Sequence, residues 1–147
     1  MRLHVEAADL GAAVLRLNRL AGRLGDLSEP MRAIGGILES SARYRISHTK
    51  TAPDGSPWRP LLPATRQRKG NGNILVDLGT LMRGLTHEAG GNSVIAGSPM
   101  MYAVFLQEGT RHMAARPFLG ISAQDARDID ELLADWLAEG LDDGAAR

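Results

Sequence analysis

Pro53, Pro57, Pro60 and Pro63 fall within one short stretch. A ring-locked φ and a missing amide hydrogen exclude a continuous helix or a central strand there. Gly70-Asn71-Gly72 adds a flexible turn just beyond. The chain is therefore expected to run as regular elements on either side of an extended loop over about 47–73, ordered on assembly. Inside that loop Pro53-Asp54-Gly55 sets a tight turn. Trp58 is the one large aromatic of a segment too polar to cover it. It either folds back on its own domain or anchors into a neighbouring chain, and the residues leave both readings open.

Before the loop, Leu3 and Val5 alternate with polar neighbours as in a short strand. Asp9 then caps a helix with Leu10, Val14, Leu17, Ala21 and Leu24 at helical spacing, closed by Gly25. Ser28, Glu29 and Pro30 open a second helix with Met31, Ile34, Leu38, Ala42 and Ile46 on one stripe. After the loop, Thr80 caps a helical turn through Leu81 and Met82, and Leu85 to Ala89 starts a hairpin that turns at Gly90-Gly91-Asn92 and returns along Ser93 to Ala96. Tyr102 to Glu108 reads as a short helix stopped by Gly109. Ser122 with Asp125 forms a capping pattern ahead of Ile129, Leu132, Leu133, Trp136, Leu137 and Leu141 on one helical face. The fold class is α+β: a small mixed sheet with a hairpin, packed against two or three amphipathic helices.

The chain's 147 residues suit a single domain over 1–147 with a core of its own. Cysteine is absent, which removes disulfides and thiolate metal sites. No apolar run approaches signal or transmembrane length, so a soluble cytoplasmic origin without membrane contact is expected. Net charge is zero but polarised. Between Arg32 and Lys69 the bases Arg43, Arg45, Lys50, Arg59, Arg66 and Arg68 face only Glu39 and Asp54, whereas from Asp125 onward acids dominate. Such ends attract head to tail between identical chains, and the basic half also suits a nucleic-acid groove.

Catalysis finds little support. His4, His48, His87 and His112 stand singly without a ligand spacing, and the carboxylates Asp125, Asp128, Glu131 and Asp135 oppose a clean apolar stripe and read as a solvated face. Ser98 lacks the second glycine of a nucleophile elbow, and Gly70-Asn71-Gly72 lacks the Lys-Ser/Thr of a phosphate loop. No catalytic, metal or cofactor-binding residue is assigned.

What remains is a set of short matches in fixed order: Pro53-Asp54-Gly55 with Trp58 and Leu61, Thr65 with Lys69, Leu78-Gly79 with Leu81, Val94 with Gly97-Ser98, Tyr102-Ala103, Gln107 with Gly109-Thr110, and Arg116-Pro117-Phe118-Leu119-Gly120. Together they resemble the phage virion morphogenesis family, the tail-completion proteins of Mu-like and related long-tailed phages, over roughly residues 28–140. The chain departs at Leu78, where the family often has Thr, and at Glu108, where an aromatic commonly precedes the glycine.

The resemblance implies a non-enzymatic structural subunit of the neck or tail top, made in the host cytoplasm and built into the virion. It implies a hexameric ring that joins tail to head connector, with other copies, head-closure proteins and tail-terminator or tube proteins as partners. DNA would pass through the lumen without sequence-specific binding. The expected interface residues are Trp58, Arg59, Arg66, Lys69, Tyr102, Gln107, Arg116 and Phe118. A small nucleic-acid-binding module using the basic Arg32 to Lys69 region is the alternative.

Overall fold

The computed structural model describes residues 1–6, 25–70, 72–76 and 79–145. Alternation at the N-terminus produces β1 (Arg2–Glu6), and the hairpin about the Gly90-Gly91-Asn92 turn produces β2 (Thr86–Ala89) and β3 (Ser93–Gly97). They form a three-stranded sheet in the order β1-β3-β2. Leu3 pairs with Ala96 and His87 with Ala96 from the other side. Both pairings are antiparallel, so the α+β class holds while the sheet is not mixed. The central strand is the most apolar of the three, burying Val94 and Ala96. Burial on that face needs a partner layer, and the helices supply it.

Helix α1 (Ser28–Tyr44) lies across the sheet on the stripe Met31, Ile34, Leu38 and Ala42. Gly35 lets it come close: a Cβ there would stand 2.4 Å from His87 Cδ2 and 2.9 Å from Val94 Cγ2. Leu27 N donates to Gly91 O at 3.0 Å and ties the start of α1 to the hairpin turn. The long C-terminal helix packs beside α1 through Ile129 and Leu133, completing one core cluster with Leu27, Met31, Ile34, Leu38, Val94 and Ala96. A second cluster gathers Ala42, Ile46, Trp58, Leu81, Leu85, Ala103, Phe118 and Leu119.

The segment expected to be one extended loop is folded into short pieces. Helix α1 runs into a π-helical turn over Arg45–Thr49, which ends where Lys50 takes a left-handed conformation at φ 55°. The chain then makes a miniature hairpin, with Thr51 bridged to Pro57 and Trp58 N donating to Lys50 O at 2.9 Å. Pro63 opens a second helix, α2 (Pro63–Lys69), because the first helical position needs no amide donor. Gly70 at φ 70° closes it. Proline thus prevents a long helix here while favouring the start of a short one. The helix expected over Asp9 to Leu24 and the residue Leu78 of the Leu78-Gly79 match lie outside the described residues.

Helix α3 (Thr80–Arg83) and helix α4 (Ala103–Glu108) bury Leu81 and Ala103 against the second cluster. Helix α5 (Ala123–Ala145) begins at the expected capping box: Asp125 N donates to Ser122 Oγ at 3.0 Å, and Ser122 N donates to Asp125 Oδ2 at 2.8 Å. Among the described residues no helix is long and apolar enough to cross a membrane.

Candidate assembly interface

The two segments singled out in the sequence meet in space. In the miniature hairpin, Asp54 Oδ1 accepts from Ser56 N at 2.9 Å and Ser56 Oγ at 2.5 Å, while Gly55 takes φ 87° at the tip. These bonds favour the ionised carboxylate and hold Asp54 below its ordinary pKa. The hairpin delivers Trp58 onto the segment Arg116–Gly120, where its indole Nε1 donates to Pro117 O at 2.8 Å. Trp58 is 5% exposed, covered by its own chain.

Gln107, on α4, secures the same segment from the other side. Its Oε1 accepts from Phe118 N and Leu119 N, each at 3.0 Å, and its Nε2 donates to Leu119 O at 2.9 Å. One amide side chain does the work of a neighbouring strand. Gly109, at φ 76°, stops α4 so closely against the returning chain that a Cβ would lie 2.6 Å from Ala115 N. Arg116 reaches back to the loop, Nε to Arg59 O at 3.0 Å and Nη2 to Pro60 O at 3.1 Å, so its cation caps backbone carbonyls of its own chain. Burial pulls its guanidinium below the ordinary pKa.

Arg45 closes the network from α1. Its Nη1 donates to Phe118 O at 2.8 Å, and its Nη2 donates to Ser41 Oγ at 2.8 Å and to Asp125 Oδ2 at 2.6 Å. Desolvation lowers the Arg45 pKa and the neighbouring Asp125 opposes that shift. Sequence reasoning found Asp125 as a cap but not its ion pair, because nothing local distinguishes Arg45 from the other bases near it. The π-helical turn that follows carries no sequence signal either.

The expected interface residues therefore divide. Trp58, Gln107, Arg116 and Phe118 are engaged inside the chain: Phe118 is fully buried, and the polar groups of the other three are spent on backbone partners. Of the two readings open for Trp58, the structure takes the first: Pro117 and the second core cluster of its own chain cover it. Arg59, Arg66 and Tyr102 are exposed, and Lys69 is half-buried with Nζ donating to Asn73 O at 2.6 Å. Around Tyr102 (43% exposed) stand Met101 at 91% and Phe105 at 54%, an apolar patch at the start of α4. A cleft of about 530 Å³ separates this patch from the end of α2, lined by Arg68, Lys69, Leu75, Leu81, Tyr102 and Leu106.

Among the described residues no cluster of His, Asp and Glu is placed to hold a metal ion. His87 Nδ1 meets Glu39 Oε2 at 2.6 Å, and Glu39 Oε1 meets Arg43 at 2.7 Å, a pairing that ties β2 to α1. The geometry defines an α+β fold with an internally braced clasp and, among the described residues, an exposed apolar patch beside the basic end of α2.

The chain belongs to the phage virion morphogenesis family, which matches residues 8–138. It is 33% identical over 128 residues to the Mu-like prophage FluMu G protein 2 of Haemophilus influenzae, covering 82% of this chain and 85% of that protein. It is 29% identical over 144 residues to the Mu-like prophage FluMu G protein 1 of the same organism, covering 93% and 97%. No solved structure matches the chain. Its role is accordingly in the morphogenesis of a bacteriophage virion, within a structural family not known as enzymatic.

Proposed function

We propose that the protein is a non-enzymatic, ring-forming tail-completion subunit of the phage neck or tail top. In this reading it joins the tail to the head connector around the DNA channel and resides in the virion after assembly from the host cytoplasm. The carrying observation is the Met101, Tyr102 and Phe105 patch, a run of exposed apolar side chains of the kind that marks an interaction surface. Arg68 and Lys69 line the cleft beside Tyr102 and supply polar contacts at its rim. Copies of the chain and the adjoining neck or tail proteins are its partners, and DNA passes without being read.

Substituting Tyr102 and Phe105 by Ser tests this reading. The variant is expected to keep the native melting temperature and to lose incorporation into particles, scored by tail-to-head joining in the electron microscope. Normal particles containing the variant would refute it. The nucleic-acid alternative draws on the cations of α2 and predicts duplex binding that weakens steeply with salt.

A further inference from the structure

The chain carries two surfaces of opposite charge, a groove rimmed by carboxylates and a short basic helix. One is a groove of about 450 Å³ between the start of α1 and the outer side of α5, with Leu132 and Trp136 among its floor residues and Glu131, Asp135 and Glu139 along its rim. The three rim carboxylates repeat at i, i+4 and i+8, a spacing at which like charges repel along a helix. None of the three has a hydrogen bond or ion pair among the described residues, so nothing there offsets the repulsion. Leu132 and Trp136 are only half-buried beneath them.

The other surface is α2. It buries none of its residues, although a helix of seven residues is too short to hold itself in water by propensity alone. Leu62, the extended residue at its N-cap, is 67% exposed, and Arg66 is exposed one turn into the helix. Arg66 and Arg68 have no carboxylate partner among the described residues. The groove caps the first core cluster, whereas α2 neighbours residues of the second.

We infer that α2 of one copy seats in the α1–α5 groove of the next. Leu62 meets the apolar floor at Leu132 and Trp136, and Arg66 and Arg68 meet the carboxylates of Glu131 and Asp135. The contact joins different patches on the two copies, so it is head-to-tail, and repetition closes into a ring when the rotation between copies permits. This inference rests on the ring reading above and names the surfaces that would build it. It also assigns the polarised charge of the sequence a physical partner: each basic half faces the acidic half of its neighbour.

Cysteine scanning tests it directly, since the native chain has no cysteine. A chain with Arg66→Cys is mixed with a chain carrying Asp135→Cys under mild oxidant. A mixed disulfide dimer is expected, suppressed by high salt, and a chain with both substitutions should yield a ladder of oligomers. In sedimentation velocity, Arg66→Glu and Asp135→Arg should each weaken self-association roughly tenfold or more, and a chain with both should recover it. Asp135→Asn, with its melting curve recorded, replaces Asp135→Arg if that variant does not fold.

A native chain that self-associates while forming no 66–135 cross-link, with charge variants that associate as the native does, overturns this contact and leaves the ring reading standing. A native chain that stays monomeric at every concentration, without cross-linking, overturns both.

Discussion

Trp58 shows how one side chain decides between two roles by its hydrogen bond. An indole N–H left unpaired in a core is costly, and here Pro117 O satisfies it at 2.8 Å while Phe118 and Leu119 pack in the same cluster. Trp58→Ala should therefore destabilise the chain by about 3–5 kcal/mol, on the order of 10 °C in Tm, with no assembly partner present. Trp58→Phe, which keeps an aromatic ring but loses the donor and part of the indole's volume, should cost less, about 1–3 kcal/mol. Thermal unfolding of the purified variants checks both, and a Tm unchanged by Trp58→Ala would contradict the burial. Arg45 follows the same logic with charge: its guanidinium is buried, so Asp125 and the Phe118 carbonyl are required to keep it there.

Among the elements, the contact of α1 with the sheet is set by adjacent glycines of opposite character. Gly35 faces His87 and Val94, where a Cβ would sit under 3.0 Å from both, whereas a Cβ on Gly36 would meet nothing within 4 Å. Gly35→Ala should push α1 off the sheet and cost about 1–3 kcal/mol through overpacking. Gly36→Ala should stabilise by about 0.5–1 kcal/mol, because alanine loses less backbone entropy in a helix. Chemical denaturation of the pair checks the sign of each. Nothing local in the sequence tells the two glycines apart. The helical period of α1 and α5 and the turn glycines of the hairpin were legible because each signal is local. The π-helical turn and α2 were not, since one depends on where Arg45 is drawn and the other on Pro63 acting as a first-turn residue rather than a breaker.

At the scale of the molecule, the internal clasp belongs to stability, and the exposed patches carry the proposed assembly. Arg66 and Arg68 lie outside both core clusters, so replacing each by Ala should change unfolding by less than about 0.5 kcal/mol. The same pair tests the nucleic-acid alternative: retention of the native chain on a duplex column should be weak, and the double variant should elute almost with it. Strong native retention that falls in steps with each lost cation would favour a DNA-binding role instead.

Sequence alone determined the α+β class, the hairpin, the capping box at Ser122 and Asp125, and the family, because these rest on periodicity, on turn chemistry and on motifs kept in order. Only the tertiary structure decided which of the marked residues face inward. Trp58, Gln107, Arg116 and Phe118 look as suited to a partner as Tyr102 or Arg66 when read along the chain. Their fate depends on carbonyls and amides far away in sequence, such as Pro117 O for Trp58 and Arg59 O for Arg116. Burial is a property of the whole packed chain, and a residue's own chemistry states only what a partner must offer, not where that partner will be.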